Sequence, residues 1–148
     1  MHIEACTRES LAEWVMLRHA LWPETDAHQH QKDAEALLAR AGRASVFIAR
    51  ETGRLIAFAE ATLRHDYVNG CETSPVAFLE GLYVHPEWRR RGVARALCDA
   101  VERWAIAAGC QEFASDAHLH NALGQRVHEA LGFAETERVV YYRKLVAS

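Results

Sequence analysis

The segment Val76-Ala-Phe-Leu-Glu-Gly-Leu-Tyr-Val84 runs through Pro86 into Arg89, Arg90, Arg91 and Gly92, and this junction constrains the fold more than any other part of the chain. The apolar run has the length of a buried strand, and Pro86 ends it. Residues 92–108 then place Val93, Leu97, Val101, Trp104 and Ala108 on one helical face, with Asp99 and Arg103 spaced i,i+4 on another. Gly109 suits the left-handed position just past a helix. The pattern is a buried strand, a short basic loop and an amphipathic helix that begins at a glycine. A helix start leaves backbone N–H groups without helical partners, and the helix dipole adds partial positive charge there. Gly92 lets a ligand approach the backbone, and the three arginines add full charge. The junction therefore reads as a site for a phosphate or pyrophosphate. The plainer alternative is three solvated arginines at a helix start. A Walker loop and the G-x-G-x-x-G dinucleotide fingerprint are both absent from the sequence.

Around this junction the chain predicts one domain, residues 1–148, because 148 residues fit a single core and no stretch has linker composition. Residues 2–6 read as a short edge strand. A helix follows from Thr7 or Ser10, with Ser10 and Glu13 as a capping box, and Pro23 stops it. A second helix is expected over 31–41, ended by Gly42. Strands are expected at 45–50 and 54–65, joined by a Thr52-Gly53 turn, then at 76–84 and 111–116. A helix over 120–131 is capped by Gly132, and 133–145, with its Val-Val-Tyr-Tyr run, reads as a final long strand. The fold class is α/β (α+β): a mixed sheet with helices on its faces.

Seventeen Lys and Arg stand against twenty Asp and Glu, a net charge of −3, which disfavours a generic nucleic-acid binder. No segment has the ~18 consecutive apolar residues of a membrane span. Glu4, Arg8, Glu9 and Glu13 interrupt any signal-peptide pattern, so the expected location is cytoplasmic. Cys6, Cys71, Cys98 and Cys110 have no C-x-x-C spacing and are expected as free thiols. His28-x-His30 and His118-x-His120 lack further ligands at regular spacing, so no metal is expected.

The spacing Arg89-x-x-Gly92-x-Ala94, between an apolar strand and a helix, resembles the acyl-CoA loop of the GNAT superfamily of N-acetyltransferases, where the pattern is Gln/Arg-x-x-Gly-x-Gly/Ala. A second family signature stands about forty residues on: a strand, Asn121, and a helix ending in Leu131-Gly132-Phe133. The resemblance implies the GNAT fold, a mostly antiparallel sheet flanked by helices whose central strands 76–84 and 111–116 splay apart. It implies acetyl-CoA as co-substrate in that V. Main-chain groups of Leu82, Tyr83 and Val84 would pair with the pantetheine amides. The loop Arg89, Arg90, Arg91, Gly92, Val93 and Ala94 would hold the pyrophosphate, and Asn121 would touch the pantetheine arm.

Acetyl transfer from a thioester to an amine needs a neutral amine, whereas an alkylammonium has a pKa near 10. Carboxylates beside the thioester suit binding the cation and removing its proton. Glu80 interrupts the apolar face of Phe78 and Leu82 and is the leading candidate for the base, the alternative being a Glu paired with a core or interface Arg. Asp116 closes the neighbouring strand, the alternative there being a helix cap. The segments Leu21-Trp22-Pro23, Arg64–Gly70, Ser74–Gly81, Ala114–Asp116 and Glu135–Val139 resemble aminoglycoside 6'-N-acetyltransferases of the short chromosomal type. That resemblance implies acetylation of the 6'-amino group, an aminoglycoside pocket lined by Trp22, Tyr67, Glu80, Asp116 and Glu137, antibiotic resistance and a homodimer. Where many members carry a Tyr as general acid, this chain has His128, a candidate for that role, although a thiolate also leaves unaided. Two other readings compete: an enzyme of the same fold acting on a polyamine or other small amine, and a non-catalytic acyl-CoA-binding module. The second would not need the three carboxylates.

Overall fold

A computed structural model describes residues 1–147. The chain divides into two compact units, Met1–Asp116 and the remainder from Ala117. The first holds a five-stranded sheet in chain order: β1 (His2–Ala5), β2 (Ala44–Glu51), β3 (Arg54–Arg64), β4 (Val76–Val84) and β5 (Phe113–Ser115). The first four strands run antiparallel, and β5 joins β4 in parallel after the crossover helix α3 (Val93–Ala107). Helices α1 (Leu11–Leu21) and α2 (Ala27–Leu38) lie between β1 and β2 in the chain.

Alternation along β3 assigns its two faces. Phe58 packs with Trp14 and Ala34 of α1 and α2 and with Val46 and Ile48 of β2. Leu63 packs with Trp104 and Ala105 of α3, and Ala57, Ala59 and Ala61 are fully buried. Of the predicted face, α3 buries Val93, Leu97 and Val101, together with Cys98, Ala100 and Ala105, while Trp104 and Ala108 are only half-buried. Gly109 (φ +88°) closes it: its N–H donates to Ile106 O at 3.0 Å, and that of Cys110 to Ala105 O at 2.9 Å, a paired C-terminal cap.

Several expectations are corrected. Ser10 does not cap α1 with its side chain; its Oγ accepts from Arg50 Nη2 at 2.6 Å, and Glu13 also pairs with Arg50. The guanidinium thus takes up both members of the expected capping box. The second helix begins four residues early, because Asp26 caps it by accepting from Gln29 N at 2.8 Å. The strand expected at 111–116 shortens to Phe113–Ser115.

The second unit contains α4 (Ala122–Ala130), capped by Asn121, whose Oδ1 accepts from Gly124 N at 2.9 Å. Its end explains the Leu131-Gly132-Phe133 signature. Gly132 (φ +97°) donates to Glu129 O and Phe133 to His128 O, each at 3.0 Å, and the Phe133 ring meets His128 at 5.4 Å. Residues 133–147 form no strand, contrary to expectation, and Val140, Tyr141, Tyr142 and Val146 are exposed. A β-rich run becomes a strand only when another strand satisfies its backbone groups.

Candidate active site

The site begins at an irregularity in β4. Ala61 pairs with Leu79 and Glu60 with Gly81, so Glu80 is an extra residue with no opposite number on β3. On the other side, β5 pairs with β4 only across Ala77–Leu79. From Glu80 to Val84, β4 therefore has β3 along one edge and no β5 along the other. This is the expected splay, and the bulge sits at its origin. Gly81 has a second reason to be glycine. A Cβ there would lie 2.5 Å from the Trp22 indole, which covers the β4 backbone at this point.

Above the bulge an open cleft of about 420 Å³ is lined by Trp22, Asp33, Glu60 and Glu80 among others. Trp22 and Glu80, both predicted as site residues, meet here. Glu80 is paired with an arginine, as its alternative reading expected, although Arg64 is exposed and not in the core. Its Oε1 accepts from Thr62 Oγ1 and from Arg64 Nη2, both at 2.8 Å, and Arg64 Nη2 lies 3.1 Å from Oε2. The Arg64 guanidinium lies 3.6 Å over the Phe78 ring. These partners fix the carboxylate and leave lone pairs on Oε2 for a substrate cation.

Beneath the cleft lies a buried polar network that the sequence reading missed. Glu60 is 2% exposed, accepts from Trp14 Nε1 at 2.9 Å and is ion-paired with Arg18. Burial pushes the Glu60 carboxyl up, against the pull of Arg18 and Trp14. Arg18 Nε donates to Nδ1 of His30 at 3.4 Å, and Nε2 of His30 lies 2.9 Å from the Trp22 carbonyl oxygen. The available signal was the alternation Glu60, Thr62, Arg64, polar at every second position of an otherwise apolar strand.

Beyond β4, a single 3-10 turn (Pro86–Trp88) leads to the basic loop. Arg90 (φ +62°) and Gly92 (φ +81°) both take left-handed conformations. Gly92 is the N-cap of α3 without a side-chain bond, and a Cβ there would meet nothing within 4 Å. The first bond into the helix is Ala96 N to Gly92 O at 3.1 Å, so the N–H groups of Val93 and Ala94 are at the helix end. The arginines differ in surroundings. Arg89 Nε donates to Val84 O at 2.9 Å and lies 5.5 Å over Tyr83, while Arg91 lies 4.9 Å over Trp88. Arg89 thus ties the loop back to the end of the splayed strand. The unpaired β4 edge and the uncrowded, cationic helix start fit an extended amide-bearing ligand that ends in a pyrophosphate, as acetyl-CoA does.

Asp116 follows the end of β5 and is exposed; Asn121, not Asp116, caps the next helix. Tyr67 is 75% exposed on the 65–75 loop. Glu112 anchors that loop: its Oε1 accepts from the N–H groups of Glu72 at 2.9 Å and Thr73 at 2.7 Å and from the Thr73 hydroxyl. The Thr73 hydroxyl and these amides hold the Glu112 carboxyl below its ordinary range. In the second unit, Asn121 spends its carbonyl oxygen on the cap, and Glu137 is exposed on the extended segment. His128 Nδ1 lies 2.6 Å from Gly124 O, and a carbonyl can only accept, so Nδ1 carries a proton. Nε2 of His128 could then serve as an acid only from the imidazolium. All four cysteines are free. Burial raises each thiol, Cys6 to about 12 and Cys98 to about 11, which opposes a covalent acetyl-cysteine route through Cys110. Among the described residues no group of three or more His, Cys, Asp or Glu is placed to hold a metal ion.

Known proteins share this architecture. The acetyltransferase (GNAT) family model matches residues 9–133. An aminoglycoside N(6')-acetyltransferase type 1 from Salmonella typhimurium is 50% identical over 97% of this chain and 99% of its own length. One of the same name from Serratia marcescens is 48% identical over 96% and 97%. Among solved structures, AAC(6')-Iy in complex with the bisubstrate analogue CoA-S-monomethyl-acetylneamine superposes with a TM-score of 0.93, at 48% identity and 97% coverage of each chain. The apo 6'-N-acetyltransferase AAC(6')-IG of Acinetobacter haemolyticus gives 0.95, at 44% identity and 99% and 100% coverage. With the bulged, splayed strand, the glycine-started helix and these matches together, the chain belongs to the acetyltransferase (GNAT) family.

Proposed function

We propose that this protein transfers the acetyl group of acetyl-CoA directly to the 6'-amino group of aminoglycosides, and that it confers resistance to them. The observation that carries this reading is the cleft at the β4 bulge. An aromatic face, Trp22, and a fixed carboxylate, Glu80, stand there at the origin of the splay. Amino sugars need both: flat aromatics for their apolar faces and carboxylates for their ammonium groups. The near-full-length relatives named for the same reaction support the acceptor class.

In this reading the whole chain serves as one acetyltransferase domain. Main-chain groups of Leu82, Tyr83 and Val84 bind the pantetheine arm, which Asn121 also touches. The loop Arg89–Ala94 takes the pyrophosphate. Arg64 and Thr62 hold Glu80 in place, and Glu80 removes the ammonium proton directly or through a water. The neutral amine then attacks the thioester carbonyl carbon; the tetrahedral adduct loses its second nitrogen-bound proton to solvent as the C–S bond breaks, and coenzyme A leaves as its thiolate or, when His128 protonates the sulfur, as the thiol. Tyr67 and Asp116 complete the acceptor pocket. The enzyme works in the cytoplasm as a homodimer, with the β-rich segment 133–145 supplying an edge for subunit pairing.

Coenzyme A release measured with kanamycin, with spermidine and with no acceptor tests the proposal. Turnover with kanamycin alone is expected. Turnover with spermidine alone would assign a polyamine acceptor, and binding of acetyl-CoA without turnover would leave only a binding module.

A further inference from the structure

The buried network under the cleft is larger than docking a helix requires. A buried ion pair replaced by apolar residues of similar volume often leaves stability unchanged or improved. Glu60, Arg18 and His30 are nonetheless charged or polar, each at most 6% exposed. Their bonds diverge from Arg18, which donates to both Glu60 and His30. Glu60 on β3 holds Arg18 on α1, Arg18 reaches His30 on α2, and His30 returns to Trp22 at the end of α1. An arginine can only donate, so Nδ1 of His30 must accept and carries no proton. Nε2 of the neutral ring therefore carries the proton and donates to the Trp22 carbonyl at 2.9 Å. The His30 ring also stacks on the indole, with centroids 6.2 Å apart and planes 19° apart. The Arg18 guanidinium covers Trp22 at 4.9 Å, and Phe58 meets it edge-on at 6.4 Å. With Gly81 beneath, the half-buried indole is braced by groups from α1, α2, β3 and β4 while it still lines the cleft.

We propose that His30 is a positioning residue for the acceptor: locked by Arg18 in its Nε2–H tautomer, it sets the place of the Trp22 ring against the bulge that carries Glu80. The inference rests on the reading of Trp22 as the acceptor platform. Neither the cofactor loop nor Glu80 touches His30, so its loss acts on acceptor binding before it acts on chemistry.

His30→Leu keeps approximate bulk and removes both bonds. His30→Gln keeps them, since an amide oxygen can accept from Arg18 while its NH2 donates to Trp22. His30→Leu should raise the kanamycin KM roughly tenfold or more, with kcat and the acetyl-CoA KM unchanged within about twofold, and His30→Gln should restore the KM to within about threefold of wild type. Nitrogen-15 NMR of the wild-type imidazole should show Nε2 protonated and Nδ1 bare. If His30→Leu does not fold, His30→Asn replaces it, being too short to reach both partners, and should raise the KM where His30→Gln does not. An unchanged kanamycin KM in the folded variant, a parallel change in both substrates' KM values, or an Nδ1–H tautomer would overturn the assignment. Wild type that shows the Nε2–H tautomer but no aminoglycoside turnover would instead overturn the proposed function.

Discussion

At the scale of single residues, the arrangement turns on which carboxylate does what. Glu60 and Glu80 stand on neighbouring strands and both line the cleft, but their surroundings differ. Glu60 is buried, ion-paired to Arg18 and bonded to Trp14, so it serves structure. The Glu80 side chain is 31% exposed and held from one side by Arg64 and Thr62. Glu80→Gln keeps the shape and the Thr62 bond and removes the basicity. Steady-state kinetics at saturating substrates should show kcat lowered by ~10²–10⁴-fold, the range for loss of a general base. A kcat within about a factor of two of wild type would assign the proton to another acceptor. The Glu80–Arg64 pair also shows what sequence reading weighs well. An isolated Glu on an apolar strand had two readings, catalytic carboxylate or arginine partner; the structure shows the arginine and places the carboxylate at the cleft, and the Glu80→Gln kinetics decide the other. Glu80 was legible because it interrupts an apolar strand face, whereas Trp22 was named only through the resemblance of Leu21-Trp22-Pro23. His30 was not legible, because a histidine in the polar stretch His28-Gln-His30-Gln looks solvated until Asp26 is seen to start the helix and turn His30 inward with Ala34.

At the scale of elements, the β4–α3 junction was legible almost completely, since strand, loop and helix start each carry a local signal. Gly92 tests it. Its left-handed φ disfavours most side chains, but Asp tolerates that region better than most. Gly92→Asp should preserve the fold, place a negative charge in the phosphate cradle and raise the acetyl-CoA KM, with the kanamycin KM nearly unmoved. Unchanged acetyl-CoA kinetics would place the pyrophosphate elsewhere. The anchor of the 65–75 loop lies 39 and 40 residues away in the chain, at Glu112, which no local pattern reveals. Because the folded Glu112 carboxyl is held below its unfolded value near 4.3, its anchoring is complete above that value and is lost as pH falls through the lower folded value. Amide hydrogen exchange at Glu72 and Thr73 should therefore accelerate in acid relative to the β3 amides. Glu112→Ala should show the same acceleration at neutral pH, and equal protection in variant and wild type would remove the anchor.

At the scale of the whole molecule, the segment 133–145 marks the limit of reading one chain. Its Val-Val-Tyr-Tyr composition favours a strand, yet residues 134–145 are exposed and form no strand, so composition does not supply the partner. A homodimer in which this segment pairs with a second copy predicts that Val140→Asp combined with Tyr142→Asp shifts the species seen by light scattering from dimer to a 16.7 kDa monomer. An unchanged dimer would place the interface elsewhere. The central claim concerns the bond that is made, and regiochemistry tests it most directly. Initial acetylation rates should be compared for two aminoglycosides that differ only in a 6'-amino against a 6'-hydroxyl group, with the product located by NMR. The account predicts a single acetamide at the 6' position of the first and no 6' product from the second. Equal turnover of the pair, or acetylation of the first at another amine, would contradict it.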